Sequence, residues 1–412
     1  MKNIPTCLRT LPNGLRVIAQ PCSGKVCVCG FAIAAGTRDE RDDEQGIAHF
    51  TEHMLFKGTA RRSAYRILDR MGCVGGEVNA YTTKEEIFVY AICLQKDYER
   101  AMELMCDMLF HSVWPAAEID KERAVVLDEI EVYEDSPSDL IYDDFEKYLF
   151  DGHPFGRNIL GDAKHLKRMK TQNFIDFTRR CFTTDRIVWF SMAPLSESRL
   201  DKLIDRYLLP VPDTSSASVF AHRTAPVPAR GLRQSVDRHT HQAHVLYGNR
   251  AYTLFEDKRL VLYLLNNILG GPGMNSCLNN LLREHNGLVY TVESTANFYS
   301  DTGLFSIYFG SDSADVERCL SLIDRELKRF RETPLSPARL HAAKKQLFGQ
   351  IAIASENKEM QALSMGKSML YYNRFEPIGE FLRQLEGITA AQIQETADEV
   401  FDPAGLSLLC YR

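Results

Sequence analysis

The chain has eleven cysteines but no Cys-x-x-Cys pair, so a cysteine zinc ribbon is excluded. The cysteines are odd in number and scattered, mostly within apolar segments, which fits reduced, buried thiols better than a disulfide framework. No apolar run reaches about 18 residues, so no membrane span is expected. The N-terminal MKNIPTCLRTLPNGLRV lacks the apolar core of a signal peptide and passes straight to a hairpin-like Asn13-Gly14 turn. A cytoplasmic location is therefore the expectation. There is no G-x-S-x-G elbow, and no cysteine sits in a recognisable nucleophile motif. The glycine-rich turn at 270–273 lacks the Lys-Ser/Thr of a phosphate loop. An excess of positive charge is missing as well: the net charge is −6, which argues against a polyanion such as nucleic acid as partner.

What is present is ordinary in bulk and unusual at one point. A length of 412 residues suggests two large domains or two to three smaller ones, and 45% hydrophobic with 25% charged residues is the balance of a soluble globular protein. Residues 49–53 read His-Phe-Thr-Glu-His. Two histidines four apart lie one turn apart on the same face of a helix. Neutral imidazoles so placed can chelate one zinc ion, and a glutamate between them can take a proton from water at that ion. Composition alone gives about 0.02 H-x-x-E-H matches in a chain this long. At about 100° per residue, Ile47, Phe50 and Met54 fall on one side of the helix, while His49, Glu52 and His53 fall on the other with Phe56. One face thus suits a core and the other carries all the chemistry. Lys57 and Gly58 suit the end of the helix.

A catalytic zinc takes three protein ligands. Residues 117–135 read as a helix, on which Glu122, Val125, Val126, Glu129, Val132 and Tyr133 share one face and Asp128, Glu131 and Glu134 the opposite one. Two carboxylates seven apart therefore lie in an apolar stripe, where each needs a cation or strong donors. Glu129 is the expected third ligand, with Glu122 behind it to orient a ligand or accept a proton. Pairing of both with Lys or Arg in the core is the alternative. A second histidine group, His239, His241 and His244, has no carboxylate at ligand spacing, and on a strand His244 would point away from the other two.

The order of expected elements repeats. Strands at 15–35, a helical stretch at 46–72, strand again at 77–94 and helices at 96–113 and 117–135 lead through a mixed, mostly helical 141–182 to a strand at 186–193 and a helix at 195–208. Residues 209–233, rich in Pro, Ser, Thr and Ala, read as a linker. A strand near 243–249, helices at 256–269 and 275–285, strands at 288–298 and 303–310, helices through much of 313–397 and a final strand follow. The expected fold is α+β: two similar halves, 1–208 and 234–412, each a mixed, mostly antiparallel sheet with helices on one side.

H-x-x-E-H is the inverted zinc-peptidase motif. With its flanks (GIAHFTEHMLFKGT, 46–59), the ERAVVLDEI stretch at 122–130 and Gly76-Glu77-Val78-Asn79-Ala80, the chain resembles the pitrilysin/insulinase family, most of all its short bacterial and mitochondrial-processing-peptidase-like members. The gap from His53 to Glu129, 129 − 53 = 76 residues, equals the spacing to the third zinc ligand in that subgroup, and Glu122 matches its auxiliary glutamate. The second half resembles it through 242–245, Gly270-Gly271, 282–284 and 287–290. The resemblance implies one zinc per chain and two α/β-roll domains facing each other as a clamshell, which in the short members is made by two chains. It also implies that Arg283 and Tyr290 contact substrate and stabilise a developing oxyanion. Thr51 and Asp128 depart from relatives that often carry an apolar residue and a Glu there; neither is a ligand. Because one chain carries both the zinc motif and the Arg/Tyr pair, a homodimer is expected.

The activity so implied is zinc-dependent endopeptidase cleavage of peptides or unfolded segments. Glu52 would be the general base and Asn79, Ala80, Tyr81, Thr82 and Thr83 an edge that pairs with an extended substrate. The alternatives are a non-catalytic peptide-binding or scaffold subunit, and the catalytic half of a heterodimer.

Overall fold

The computed structural model describes residues 7–216, 223–227 and 231–412. Among these, eleven strands form two sheets. The first sheet comprises β1 (Cys7–Thr10), β2 (Arg16–Pro21), β3 (Val26–Ile33), β4 (Glu77–Thr82), β5 (Ile87–Leu94) and β6 (Ile187–Ala193), in the order β1-β2-β6-β3-β5-β4. Only β2 and β6 run parallel. The second comprises β7 (Arg233–Val236), β8 (Ala243–Ala251), β9 (Val289–Phe298), β10 (Gly303–Ser311) and β11 (Ser407–Tyr411), in the order β7-β11-β8-β10-β9, with β7 parallel to β11. The Asn13-Gly14 turn joins β1 to β2 in antiparallel register, and Gly14 takes the positive φ such a turn needs. The molecule is thus the mixed-sheet α+β protein expected.

Each sheet has one heavily helical face. In the first, alternate residues of β3, β5 and β6 (Cys29, Phe31, Val89, Ala91, Trp189) meet the helices Ile47–Met54, Tyr98–Phe110 and Thr171–Cys181 in one core. In the second, Val245, Tyr247, Phe305, Ile307 and Phe309 meet the helices Lys258–Gly270, Val316–Glu332 and Ala390–Val400.

The compact units do not follow the contiguous halves of the sequence. One takes Met1–Glu131, Arg157–Arg223 and Ala354–Glu376, the other Val132–Gly156, Thr224–Ile353 and Pro377–Arg412. The physical reason lies in the second face of each sheet. On the second sheet, Leu246, Leu304, Tyr308, Leu409 and Tyr411 point away from the main core and are covered by Ile141, Phe145 and Leu149 of the helix Pro137–Leu149, which comes from early in the chain. On the first sheet the opposite face is taken by the helix Lys358–Tyr372, from late in the chain. Its Gly366 lies over the Phe190 ring so closely that a Cβ would come within 2.8 Å of a ring carbon. Alternation along strands that are apolar on both faces demands cover on both, and each unit borrows the helix that provides it.

The expected linker at 209–233 falls partly on 217–222 and 228–230, outside the described residues. Within it, Arg223 reaches two buried carboxylates of the first unit, Asp39 at 2.8 Å and Glu85 at 3.0 Å; Glu85 also receives Arg38 at 2.6 Å. Glu85 and its neighbour Glu86 form the β4–β5 turn, and Glu86 is held by Lys367 at 2.5 Å and by the hydroxyl of Tyr371. The hairpin carrying β4 is therefore fixed from several directions. Removing the Arg223 charge leaves acids buried with less compensation. Arg223→Met is expected to lower stability by about 3 kcal/mol, read as a shift of the urea midpoint at unchanged slope.

Candidate metal centre

The H-x-x-E-H segment forms the helix Ile47–Met54. Its start is set by Gly46, with φ near 94°, which side chains other than glycine rarely adopt; a Cβ there would also meet the Leu160 carbonyl at 2.9 Å. The first N–H groups of a helix have no partner within it. Here the Glu40 carboxylate accepts from Gly46 N–H at 3.0 Å and Ala48 N–H at 2.9 Å. Ile47, Phe50 and Met54 are buried as the angular count requires, with Phe50 edge-on to Phe174 at 5.0 Å, and Thr51 is buried with them. His49, Glu52 and His53 lie half-buried on the other side, the two imidazole centres 4.6 Å apart.

The helix Ala116–Glu134 brings in the acids. His53 Nδ1 and Glu122 Oε1 are 2.9 Å apart, a hydrogen bond in which the ring N–H donates to the carboxylate. That tautomer leaves the Nε2 lone pair of His53 facing Glu129 Oε2 at 3.5 Å, and His49 Nε2 stands 3.9 Å from the same oxygen. One donor atom from each of His49, His53 and Glu129 lies within 4.8 Å of the others. Two ligands about 2.1 Å from one tetrahedral ion stand about 3.4 Å apart, so the group fits a shared zinc. Burial, helped by the neighbouring His53, pushes the His49 imidazole down to about 4 and keeps it in the neutral form a metal requires.

The apolar stripe expected on this helix is only partly buried. Ile119, Glu122 and Val126 form its buried seam, whereas Val125 is 44% exposed and Val132 72%. The helix meets its neighbours along one narrow line, wide enough to bury Glu122 but leaving Glu129 more open.

Glu52 makes a contact that sequence reading gave no hint of. Its Oε2 accepts from the Thr82 hydroxyl at 2.6 Å. Burial pushes its carboxyl up, against the pull of Thr82 and His53, and Glu129 adds to the rise. Thr82 ends β4, the outer strand of its sheet. Val78 and Ala80 on the same face pack against the core, while Tyr81 on the other face stacks on Phe88 at 4.9 Å. Asn79, Ala80, Tyr81 and Thr82 are half-buried strand residues, and Thr83 begins the turn. Lys57, read from sequence only as a helix-end residue, places Nζ 2.5 Å from Glu122 Oε2. Glu40 was missed because it lies outside the helix it caps.

Arg283 and Tyr290 belong to the second unit. Arg283 lies in the last turn of a π-helical segment, Asn279–Glu284, and Tyr290 is 69% exposed near the start of β9. Of the second histidine group, only His244 is on a strand, because β8 begins at Ala243; its Nδ1 is 2.9 Å from the Tyr308 hydroxyl. All eleven cysteines are free, and most are buried. No helix among the described residues is long and apolar enough to cross a membrane.

Two mixed sheets backed by helices, with two histidines and a glutamate converging beside a second glutamate, Glu52, define an α+β protein of the H-x-x-E-H metal-site class. The family model "Insulinase (Peptidase family M16)" matches residues 16–163, and the model "Peptidase M16 inactive domain" matches residues 168–347. Among curated relatives, the "Uncharacterized zinc protease YmxG" of Bacillus subtilis is 29% identical over 402 residues, covering 95% of both chains. The "Uncharacterized zinc protease SCO5738" of Streptomyces coelicolor is 30% identical over 397 residues, 95% of this chain and 86% of that one. A crystal structure of a protease from Helicobacter pylori shares the fold with a TM-score of 0.93 at 18% identity, covering 99% of each chain. A structure from Pseudomonas fluorescens, described as a peptidase M16 inactive domain, does so at 0.90 and 19% identity, covering 99% of this chain and 97% of that one. The chain belongs to the insulinase family, peptidase family M16.

The Glu40 cap has a measurable consequence. Glu40→Ala leaves two buried N–H groups unsatisfied and is expected to lower stability by about 2 kcal/mol, visible in the denaturation midpoint.

Proposed function

We propose that this chain is a zinc-dependent endopeptidase that cleaves peptides or unfolded segments. The observation that carries the reading is the convergence of His49, His53 and Glu129 beside a Glu52 that is held by the edge strand. His49, His53 and Glu129 would hold one zinc ion per chain. Zinc bound there supplies Lewis-acid polarisation of a scissile carbonyl and makes water more acidic. Glu52 takes the proton of the attacking water and delivers it to the leaving amine; burial pushes its carboxyl above the ordinary carboxylate value, which suits both roles. Thr82 occupies one Glu52 oxygen and leaves the other for water. Glu122 fixes His53 through its Nδ1.

Substrate binding is assigned to β4. Among the described residues it is the last strand of its sheet, and no neighbouring strand there uses the backbone groups along its outer edge. An extended peptide pairing along Asn79–Thr83 would be read by its backbone and laid across Glu52. Arg283 and Tyr290, contributed by a second copy of the chain, would hold a peptide carbonyl and stabilise the oxyanion. The working form is thus a homodimer, and a chamber enclosed by two copies would admit extended chains and reject folded ones. Free, buried thiols fit a reducing compartment such as the cytoplasm.

The test is zinc content together with cleavage of a quenched extended peptide, with and without chelator. About one zinc per chain, and activity lost to chelator and restored by zinc, is the expected result. Zinc bound with no cleavage of any peptide would replace the enzyme with a peptide-binding subunit of the same fold. Glu52→Gln is expected to keep its zinc and lose about 10²–10⁴-fold in kcat. Arg283→Ala should also keep zinc and lose about 10²–10³-fold; unchanged turnover there would remove the second unit from the mechanism.

A further inference from the structure

Glu122 is the most confined group at the site. It is 7% exposed, and among the described residues its ion-pair partners are His53 and Lys57, one on each oxygen. A carboxylate taken out of water needs its charge met and its oxygens occupied. His53 provides a ring N–H to Oε1, and Lys57 provides an ammonium to Oε2 at 2.5 Å. Lys57 stands four residues beyond His53, where the chain has left the helix but still turns: Phe56 N–H reaches the His53 carbonyl at 3.2 Å and Lys57 N–H the Met54 carbonyl at 3.1 Å. Its side chain is therefore directed back over the end of the same helix that carries both histidines. The order of contacts runs from Lys57 to Glu122 to His53 Nδ1, and His53 Nε2 faces Glu129.

We propose that Lys57 is a positioning residue for the metal: by anchoring the far oxygen of Glu122 it fixes the rotamer in which the near oxygen accepts from His53, and so sets the direction of the His53 lone pair. The inference rests on His53 being a zinc ligand, as proposed above. Partners of metal-bound histidines change affinity by about 10–100-fold when lost. Lys57 acts one contact further out, so its removal should act at the lower end of that range.

The experiment measures zinc affinity, with no substrate involved. Full-length wild type, Lys57→Met and Lys57→Arg are loaded with zinc and titrated with the chromogenic chelator 4-(2-pyridylazo)resorcinol, and the thermal midpoint of each apo form is recorded in parallel. Lys57→Met is expected to raise the zinc dissociation constant about tenfold. Lys57→Arg, which keeps the charge, should stay within about threefold of wild type. In a Glu122→Gln background the Lys57→Met change should have no further effect, because its path to the metal is gone. Wild-type affinity in Lys57→Met, or a tenfold loss that persists in the Glu122→Gln background, overturns the assignment. If Lys57→Met does not fold, Lys57→Gln carries the same expectation and the same refutation. Wild type that binds no zinc would instead overturn the metal reading itself.

Discussion

A carboxylate cannot leave water alone, and the site-bearing unit is organised around that constraint. Glu40, Glu85, Glu86 and Glu122 are all buried, and each is met differently: Glu40 by helix N–H groups, Glu85 by Arg38 and Arg223, Glu86 by Lys367 and Tyr371, Glu122 by His53 and Lys57. These acids lie between residues 40 and 122, and their partners come from the turn before the motif helix, that helix, the segment after it, the linker and the late helix. Satisfying these carboxyl groups, of which burial pushes Glu40 up to about 8, therefore fixes the start of the motif helix, the β4–β5 turn and the ring of His53 together. Replacing any one of them with an apolar residue would remove a desolvation cost and also a constraint on geometry.

Much of this was legible in the sequence where periodicity carried it. The angular count separated Ile47, Phe50 and Met54 from His49, Glu52 and His53, and the structure buries the first group and leaves the second half-buried. Glu129 could be chosen before any fold was known, and the structure brings it to the histidine pair. What periodicity could not give was anything set by contact across the chain. It overstated the burial of Val125 and Val132, because a helical stripe says which residues share a direction and not how wide the neighbouring surface is. It assigned Thr82 to a strand edge without seeing its bond to Glu52, since that bond depends on how a helix lies on a strand thirty residues away. The strand expected near 243–249 is β8, Ala243–Ala251, which takes in His244 and leaves His239 and His241 before it.

The two sheets are alike in plan and unequal in chemistry. Among the described residues each has an outer strand, β4 in one and β9 in the other, and each has a helical segment before or beside that strand. In the first unit that segment is a regular helix with a capped start; in the second it is a π-helical turn, Asn279–Glu284, with no histidine pair. The stretch matched by a model described as an inactive domain, residues 168–347, includes that π-helical turn.

The borrowed helices also bear on synthesis. A chain emerges from the ribosome in order, and domains generally fold as units as they appear. Here the first sheet, with Phe190 on its bare side, is complete in its strands once Ala193 has emerged, yet its cover, the helix Lys358–Tyr372, comes near the end of translation. While residues 194–357 are being made, that apolar sheet face lacks its native helix, a period in which a chaperone or a second nascent chain competes for the same surface. The surface that the late helix covers in the finished molecule is thus the one exposed to competing partners during synthesis.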